Sequence, residues 1–525
     1  MTDWWDGGVL YQVYPRSFAD SNDDGIGDLA GITAHLDHLA WLGVDGVWLS
    51  PVHPSPNADW GYDVADYRGV HPDLGTLDDL DALIAEATRL GIRVLLDLVP
   101  NHTSVQHPWF VDAGRDRAAA HRDWYVWADP SPDGGPPNNW VSSFFGPAWS
   151  LDERTGQYFL HSFLVDQADF NWWNDDLRDE FDRILTFWFD RGVAGFRIDV
   201  CHMIVKDRLL RDNPPATATD HFMDQLRGQR PEYNSSRPEV HDVLRGWRAL
   251  GAGYNPPRVL VGETYVFDLN QLASFYGHDD ELQLAFNFPF LLGDFGADVL
   301  RDVVERTEAT LPADATPIWT MGNHDVSRFP TRWCDNDPRR ARAALVMLLG
   351  LRGTVVLYYG DELATPDTDV PVDRLVDPVS IRYHPVANRD AARTPMRWNA
   401  DRGAGFTGAT VEPWLPFGDA PGGTVADQRD HPDSAMRLTR DLIALRRALP
   451  SLRAGRYETW PAPDDVWAWR RGDEVLVAVN FAETGTAVDG VDGTVRISTD
   501  RARDGEPVAG RLVLGPLEAA IVTLT

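Results

Sequence analysis

Four mostly apolar segments of the chain end on polar or charged side chains, and this pattern constrains the fold more than any other feature. The segments cover residues 94–98, 195–198, 259–262 and 317–321. Each is a run of consecutive rather than alternating apolar residues, and helical patterns lie between them. This is typical of parallel strands that are covered on both faces. Polar residues at the carboxyl ends of such strands indicate a (β/α)₈ barrel, which places its catalytic residues at that edge.

The polar residues at these four strand ends carry related chemistry. In chain order they are Asp97, Asn101, His102, Arg197, Asp199, Glu263, His324 and Asp325. Arg197 and Asp199 are two positions apart, so both side chains point to one side of a strand. An arginine in that position keeps the aspartate ionised, as a carboxylate nucleophile requires. Taken alone, the pair is explained equally well as a structural ion pair at the end of a strand.

These four blocks, in this order, resemble the α-amylase family of glycoside hydrolases, in particular its α-glucosidase and oligo-1,6-glucosidase subgroup. The resemblance covers nearly the whole chain. It implies a TIM barrel with an irregular domain inserted after strand 3 and an antiparallel β domain at the C-terminus. The predicted boundaries are 1–102 and 173–455 for the barrel, 103–172 for the inserted domain and 456–525 for the β domain. Tryptophans among proline and glycine turns mark the insertion, and they either pack that domain or line a sugar cleft.

Further elements of the barrel follow from periodicity and capping signals. The other four strands are predicted at 9–14, 44–50, 282–288 and 353–359, and helices at 31–41, 76–91, 175–191 and 434–447. Thr76 is expected to cap the second of these helices, and Gly91 to end it. From residue 456 the pattern changes to short alternating strands, which predicts an antiparallel sheet.

Two carboxylates at neighbouring strand ends fit a retaining glycosidase. Such enzymes need a nucleophile and an acid/base about 5–5.5 Å apart, and neighbouring strands lie about 4.8 Å apart. We therefore predict Asp199 as the nucleophile and Glu263 as the acid/base, in an apolar setting that favours the protonated acid. The resemblance adds Asp325 as the third catalytic carboxylate, which grips sugar hydroxyls. It also implies that Asp97 and Asn101 support the site rather than touch sugar.

The resemblance also implies a set of substrate-binding residues. These are Tyr62, Asp63, His102, Arg197, His324 and Arg393. Tyr62 would stack on the terminal glucose, and Asp63 would bind its non-reducing end. Arg393, in the segment after strand eight, would close that end. Such closure makes a pocket, so the expected enzyme is exo-acting.

The expected activity is that of a retaining, exo-acting α-glucosidase on small neutral α-glucosides of the maltose type or the isomaltose type. The alternative is a glucosyl isomerase or transglucosylase, such as a trehalose synthase or a sucrose isomerase, which shares all these residues. Arg374 either orients an acceptor sugar for that reaction or lies in a solvated turn. A non-catalytic relative would have lost a carboxylate or carry a membrane anchor, and neither is seen in the sequence.

Two segments bear on the subgroup and on linkage. The run 167–172 resembles the oligo-1,6-glucosidase version of a subgroup marker, with Ala168 and Phe170 as departures. Val200 follows the nucleophile and precedes Cys201 and His202. In the related glucosidases, valine at this position accompanies α-1,6 cleavage and threonine accompanies α-1,4 cleavage. Otherwise Val200 only packs the mouth of the barrel.

The loop after the first strand has a metal-binding pattern. Its oxygen ligands would be Asp20, Asn22, Asp24, Asp28 and the carbonyl of Ile26. The spacing follows the first part of an EF-hand, but Gly31 stands where the EF-hand glutamate belongs, so this is not a helix–loop–helix sensor. By resemblance the loop holds a structural, non-catalytic Ca²⁺ or Mg²⁺. The other interpretation is a polar turn without metal.

Charge and cysteine content exclude several classes. With a net charge of −32, the chain of 525 residues is not expected to bind nucleic acid or an anionic membrane. Lys206 is the only lysine, which fits a GC-rich genome or selection for high salt. Cys201 and Cys334 are predicted as two buried free thiols, with a disulfide as the alternative. The N-terminus lacks a signal-peptide pattern, so a cytoplasmic monomer or homodimer is expected.

Overall fold

The eight predicted barrel strands occur along the chain in the predicted order. The computed structural model describes residues 3–384 and 388–525. The strands are β1 (Val9–Val13), β2 (Gly46–Leu49), β3 (Arg93–Leu98), β4 (His102–Ser104), β5 (Trp127–Ala128), β6 (Trp149–Asp152), β7 (Gln157–Leu160), β8 (Gln167–Asp169), β9 (Gly195–Ile198), β10 (Val259–Gly262), β11 (Leu284–Ala285), β12 (Ile318–Thr320), β13 (Thr354–Tyr358), β14 (Tyr457–Trp460), β15 (Val466–Arg471), β16 (Val475–Asn480), β17 (Thr486–Asp489), β18 (Gly493–Ser498), β19 (Pro507–Val508), β20 (Arg511–Leu514) and β21 (Ala519–Leu524).

The helices lie mainly between the barrel strands. They are α1 (Leu29–Ala34), α2 (Leu36–Leu42), α3 (Leu77–Arg89), α4 (Pro108–Ala113), α5 (Asp175–Asp190), α6 (Phe222–Arg227), α7 (Val240–Ala252), α8 (Leu269–Ser274), α9 (Phe288–Leu292), α10 (Ala297–Thr310), α11 (Phe329–Arg332), α12 (Pro338–Gly350), α13 (Pro378–Tyr383), α14 (Val425–Asp430), α15 (Ala435–Ala448) and α16 (Pro450–Ala454). Within the described residues, no helix is both long enough and apolar enough to cross a membrane.

The chain divides into two units. The first unit consists of Met1–Leu49, Ala82–Val94 and Phe286–Thr525, and the second unit of Ser50–Asp81 and Leu95–Ala285. In the first unit β1 pairs in parallel with β2 and β13, and β13 pairs with β12. In the second unit β9 pairs in parallel with β3 and β10, and β10 pairs with β11. The eight strands are members of one sheet, and the predicted (β/α)₈ barrel is confirmed.

Strand β9 shows how the sequence positions the candidate nucleophile. All four of its residues are buried. A Cβ atom on Gly195 would lie 2.1 Å from the carbonyl oxygen of Val259, so only glycine allows β9 and β10 to approach here. Their register pairs Gly262 with Ile198. Asp199 and Glu263, which follow these two residues, therefore leave adjacent strands at the same level.

Helix α5 returns the chain to the barrel and shows how local signals define an element. The side chain of Asn174 accepts a hydrogen bond from the Leu177 N–H, and two aspartates fill the first turn. Both features stabilise a helix N-terminus. The buried face includes Phe181 and Trp188, which gives the helix an apolar stripe. The helix predicted over 175–191 is confirmed.

Two elements differ from the prediction. The helix expected over 31–41 is broken at His35, whose ψ of 8° separates α1 from α2. The His35 ring lies 4.0 Å from the ring of Trp398, a contact that is remote in sequence. The sixth barrel strand, expected over 282–288, shrinks to the two residues of β11.

The inserted segment and the C-terminal segment each form small antiparallel sheets. In the insertion β4 pairs with β8, and β5, β7 and β6 form a second sheet. Trp140 and Trp149 are buried in its core, which confirms for these two the packing interpretation. At the C-terminus the sheet order is β14-β15-β16-β21-β18-β19, and its pairs are antiparallel, which confirms the predicted antiparallel β domain. Cys201 and Cys334 are free and buried, so the prediction of two buried thiols is confirmed.

Candidate active site

A single guanidinium group connects three carboxylates in the second unit. Arg197 Nη1 lies 2.8 Å from Asp97 Oδ1 and 2.8 Å from Asp199 Oδ1, and its Nη2 lies 2.8 Å from Glu263 Oε2. The arginine is only 2% exposed. The predicted pair of Arg197 and Asp199 is therefore present, and Asp97 and Glu263 share the same cation. Three strand ends thus converge on one charge.

In Asp199 and in Glu263, one carboxylate oxygen accepts hydrogen bonds from the protein and the other accepts none from the described residues. Asp199 Oδ1 is bound by Arg197, whereas Oδ2 makes no hydrogen bond within the described residues. Glu263 Oε2 accepts from Arg197 and, at 2.9 Å, from the backbone N–H of Val200. Glu263 Oε1 has no partner among the residues that the structure describes. One oxygen of each carboxylate is therefore available for chemistry.

Val200 has an unusual backbone conformation that sequence reasoning did not anticipate. Its φ is +35° and its ψ is 45°, a left-handed conformation that is a real outlier for a β-branched residue. This conformation directs the Val200 N–H to Glu263. The next residue contacts the backbone of the same glutamate, since the Cys201 N–H donates to the Glu263 carbonyl oxygen at 3.1 Å. Strain of this kind is maintained where the surrounding structure determines it, often at functional sites.

The charge balance of the cluster favours binding of a proton. The pKa of Asp97 is raised to about 6, chiefly by burial, with Arg197 lowering it and Glu263 raising it. Burial also raises the pKa of Asp199, and Glu263 and Asp97 add to this effect against Arg197. One cation is thus insufficient to offset the burial of both Asp97 and Asp199. The sequence expectation that Arg197 alone keeps Asp199 ionised is therefore incomplete, because the charges of Glu263 and Asp97 act on the same carboxyl group.

Tyr62 and Asp63 are brought to this cluster by the loop after β2. The Tyr62 hydroxyl donates to Asp97 Oδ2 at 3.1 Å, and Arg197 lies over the Tyr62 ring at 5.8 Å. Asp63 is fully buried, and its carboxylate accepts from Ser55 Oγ and from the backbone N–H groups of residues 58 and 59. These contacts make Asp63 a support of its own loop, and its contact with sugar stays a prediction. Asp59, which the sequence analysis did not single out, is also buried and accepts from Gln167 Nε2.

His102 lies in a polar network that contains a residue missed by sequence reasoning. Its Nδ1 is 3.1 Å from Asn101 Nδ2, and its Nε2 is 3.1 Å from the Tyr62 carbonyl oxygen. Lys206 Nζ, buried beside them, lies 2.6 Å from Asn101 Oδ1 and 3.0 Å from Asp169 Oδ2. Asn101 thus links Lys206 to His102, and its supporting role in the site stays a prediction. No pattern pointed to Lys206 except that it is the only lysine.

The predicted residues of strand seven lie in the first unit. His324 Nδ1 is 2.8 Å from Gln12 Nε2, and its Nε2 is 3.3 Å from Asp325 Oδ2. The Asp325 side chain is 31% exposed, more than the side chains of Asp199 and Glu263, the other two predicted catalytic carboxylates. It is therefore accessible to a ligand.

Two arginines fix Asp325 from the segment after strand eight. Arg393 Nη2 lies 3.1 Å from Asp325 Oδ1, and Arg389 Nη1 lies 3.0 Å from the same atom. Both arginines also contact Asp377, which is fully buried. Burial raises the pKa of Asp377, but the two guanidinium groups outweigh it and lower the pKa below its usual value. Arg393 is thus anchored by two carboxylates, and its closure of the non-reducing end stays a prediction. Arg389 and Asp377 were missed by sequence reasoning.

The loop after β1 is folded by its own side chains. Asp20, Asn22 and Asp24 each accept a hydrogen bond from the backbone N–H two residues later, and Asp28 accepts from the Gly31 N–H. All five predicted ligands offer oxygen, which suits calcium or magnesium. Over 3–384 and 388–525, no three His, Cys, Asp or Glu side chains are grouped as a metal site. A cation here would therefore need Asn22 and the Ile26 carbonyl, and it stays a prediction.

The structure also gives the surroundings of Arg374, Ala168 and Phe170, which the sequence analysis singled out. Arg374 lies 2.5 Å from Glu412 and donates to the Pro413 carbonyl oxygen, so it is not a purely solvated turn. Ala168 and Phe170, the departures from the subgroup marker, are both completely buried. They therefore pack the inserted segment.

Comparisons with known proteins give consistent matches along the chain. The sequence profile "Alpha amylase, catalytic domain" matches residues 12–455. A probable alpha-glucosidase of Rhizobium meliloti is 42% identical over 87% of this chain and 85% of its own length. An oligo-1,6-glucosidase of Heyndrickxia coagulans is 35% identical over 100% of both chains. Among solved structures, the alpha-glucosyl transfer enzyme XgtA superposes with a TM-score of 0.94 at 39% identity, and a trehalulose synthase with 0.91 at 32%, each over 100% of both chains.

Proposed function

The chain belongs to the α-amylase family, and from this premise we propose that it is a retaining, exo-acting α-glucosidase. Its substrates would be short neutral α-glucosides, cleaved at the non-reducing terminal bond. The observation that carries the proposal is the contact of Arg197 with Asp97, Asp199 and Glu263 at 2.8 Å each. It supplies a nucleophile and an acid/base on adjacent strands, which the retaining mechanism needs.

The proposed first step forms a glucosyl-enzyme. Asp199 Oδ2, which no donor among the described residues holds, attacks the anomeric carbon, and the bond to the leaving sugar breaks. Glu263 Oε1 gives its proton to the leaving oxygen. The Val200 N–H and Arg197 hold Glu263 Oε2, so the acid presents one oxygen in a fixed direction. The single positive charge of Arg197 stabilises the ionised form of Asp199 before attack.

The second step hydrolyses the ester and restores the site. Glu263, now ionised, takes a proton from water, and the water oxygen attacks the anomeric carbon. The bond to Asp199 breaks, and glucose leaves with its α configuration. The raised pKa of Asp97 and of Asp199 favours proton binding in the cluster, whereas attack by Asp199 requires its ionised form.

The remaining predicted residues enter as parts of the proposal. Tyr62 would stack on the terminal glucose, and His102, His324 and Asp325 would bind its hydroxyls. Because Arg393 is anchored by Asp325, it would act as a fixed wall at the non-reducing end. A fixed wall favours disaccharides and trisaccharides over soluble starch, and rapid loss of starch viscosity would contradict it.

A structural cation completes the proposal without taking part in bond cleavage. The cation would be Ca²⁺ or Mg²⁺, because both prefer oxygen ligands. Its ligands would be Asp20, Asn22, Asp24, Asp28 and the carbonyl oxygen of Ile26. The cation would order the loop that leads into α1. The loop also has hydrogen bonds of its own, so a folded loop is expected to survive loss of the metal with lower stability.

A glucosyl isomerase or transglucosylase is the second candidate. The observation that favours it is the likeness to a glucosyl transfer enzyme and a trehalulose synthase at TM-scores above 0.9. Arg374, which was considered as an acceptor-binding residue, is engaged with Glu412 and gives this candidate no support.

Product analysis separates the two candidates. Maltose, isomaltose, sucrose and trehalose would be incubated separately with the enzyme, and the products identified. Release of glucose as the main product supports the hydrolase. A new disaccharide formed without net release of glucose supports the isomerase and refutes the proposed hydrolysis.

A further inference from the structure

Lys206 is the only lysine in the sequence, which otherwise uses arginine for its permanently charged basic side chains. It is buried in the second unit. Its three N–H groups have three acceptors: Asn101 Oδ1 at 2.6 Å, Asp169 Oδ2 at 3.0 Å and the Met203 carbonyl oxygen. A compact ammonium with three donors fits this position, whereas a planar guanidinium would not.

The position of Lys206 fixes the orientation of the Asn101 amide. With its oxygen on Lys206, Asn101 directs Nδ2 to Asp169 Oδ1 at 3.3 Å and to His102 Nδ1 at 3.1 Å. The flipped amide would place an NH₂ group against the ammonium and an oxygen against the carboxylate. Both contacts would be repulsive, so the charges of Lys206 and Asp169 determine which end of the amide faces His102.

The partners of His102 then determine where its ring proton lies. Burial lowers the pKa of His102 to about 4, so the neutral ring carries one proton at neutral pH. Asn101 offers a donor to Nδ1, which must therefore accept. Two groups lie 3.1 Å from His102 Nε2, namely Gln167 Nε2 and the Tyr62 carbonyl oxygen. The amide nitrogen can only donate a hydrogen bond, so the carbonyl oxygen is the group that can accept one from a protonated Nε2. Within the part of the chain that the structure describes, only a proton on Nε2 has an acceptor.

The opposite arrangement would satisfy the same ring if the amide flipped. Asn101 Oδ1 would then accept a hydrogen bond from the Nδ1–H of His102, and His102 Nε2 would accept one from Gln167 Nε2. Gln167 itself is held by the Leu164 N–H on its oxygen and by Asp59 on its nitrogen. The ring proton of His102 can therefore lie on Nε2 or on Nδ1, and the orientation of the Asn101 amide determines which nitrogen carries it.

We propose that Lys206 is a positioning residue which, through the Asn101 amide, holds the ring proton of His102 on Nε2. This Nε2–H binds the carbonyl of Tyr62, whose hydroxyl binds Asp97 beside Arg197. Lys206 therefore sets the position of Tyr62 and makes His102 a hydrogen-bond donor rather than an acceptor on that side. The consequence for catalysis rests on the proposed α-glucosidase function, but the proton position does not.

The test compares the proton position in the full-length enzyme with that in a charge-balanced variant. Lys206→Met combined with Asp169→Asn removes both charges that orient the amide and leaves no buried charge unpaired. The protein is labelled with ¹⁵N-histidine, and the His102 signals are identified by their loss in His102→Gln. Protonated and bare ring nitrogens have well-separated ¹⁵N shifts, so the tautomer is read directly without substrate. Arg245→Met combined with Glu281→Gln, a pair 2.8 Å apart in the same unit, is the matched control.

The expected result is a proton on Nε2 in the wild type and in the control, and a population with the proton on Nδ1 in the Lys206 variant. The kcat/KM for maltose should fall at least tenfold in that variant, mostly through KM. A wild-type proton on Nδ1, or an unchanged tautomer in the folded Lys206 variant, would overturn the proposal. Absence of glucosidase activity in the wild type would instead refute the proposed function and leave the tautomer result standing.

A second variant keeps the test decisive if the first does not fold. Asn101→Asp retains an oxygen for Lys206 and presents a second oxygen, an acceptor, to His102 Nδ1. The proton should then move to Nδ1. If it stays on Nε2, the Asn101 group does not determine the tautomer, and the proposal fails.

Discussion

Replacement of Arg197 by methionine tests whether one cation organises the three carboxylates. Methionine has a similar length and no charge, so it removes three contacts of 2.8 Å with little change of volume. Two unit charges 4 Å apart attract by about 4 kcal/mol at an effective dielectric constant of about 20. Removing one partner of a buried ion pair costs about 3–5 kcal/mol. If this amount is lost from the transition state, kcat/KM falls by about a thousandfold, since each 1.36 kcal/mol is a factor of about ten.

The same replacement should change the pH dependence in a defined direction. Arg197 lowers the pKa of Asp97 and of Asp199 against the effect of burial. Without it both carboxyls bind protons more tightly, and a protonated Asp199 cannot attack. Activity therefore requires a higher pH, and the acid limb of the profile of kcat/KM against pH moves to higher pH in Arg197→Met.

Release of nitrophenol from p-nitrophenyl α-glucoside measures both effects, with thermal melting as the check on folding. Arg197→Lys is the matched control, because it keeps the charge but has a single ammonium in place of two Nη groups. Its loss should be smaller, about ten- to a hundredfold on the usual scale for one charge-assisted hydrogen bond. A folded Arg197→Met enzyme within tenfold of wild-type kcat/KM, with an unshifted acid limb, would refute the reasoning.

Three further predictions address the roles of single groups. Asp199→Asn or Glu263→Gln should lower kcat by at least about a thousandfold in a folded protein, because each removes a group that reacts; near-normal turnover by either purified variant would contradict its role. EDTA should lower the melting temperature more than it lowers kcat at ambient temperature, because the proposed cation only orders the loop at Asp20; unchanged melting would remove the site. Val200→Thr should shift the ratio of kcat/KM for maltose over isomaltose towards maltose, since a hydroxyl can bind the leaving sugar; an unchanged ratio would leave Val200 as a packing residue.

The fold was predictable because its signals are local. Apolar runs between helical patterns define parallel strands, and the caps at Thr76 and Asn174 define helix starts. The break at His35 was not predictable, since it coincides with a ring contact to Trp398, more than three hundred residues away. The shortening of the sixth strand has no local signal either.

The candidate site was predictable only where residues share a strand or follow a strand end. Alternation placed Arg197 beside Asp199, and the strand end placed Glu263 near them. Lys206, Arg389 and Asp377 were missed because they lie outside strands, where no period predicts direction. Their partners, such as Asp169 for Lys206 and Asp325 for Arg389, are separated from them by tens of residues.

The central claim is that Asp199 forms a covalent bond to glucose, and trapping that bond tests it most directly. A fluorinated glucosyl fluoride, which forms the glycosyl-enzyme faster than water hydrolyses it, would be incubated with the wild type and with Asp199→Asn. The protein would then be digested and its peptides analysed by mass spectrometry. The proposed mechanism predicts one added fluoroglucosyl group, located on Asp199 in the wild type and absent from the variant. An adduct on another residue, or turnover of the reagent with no adduct and release of the inverted sugar, would contradict the mechanism.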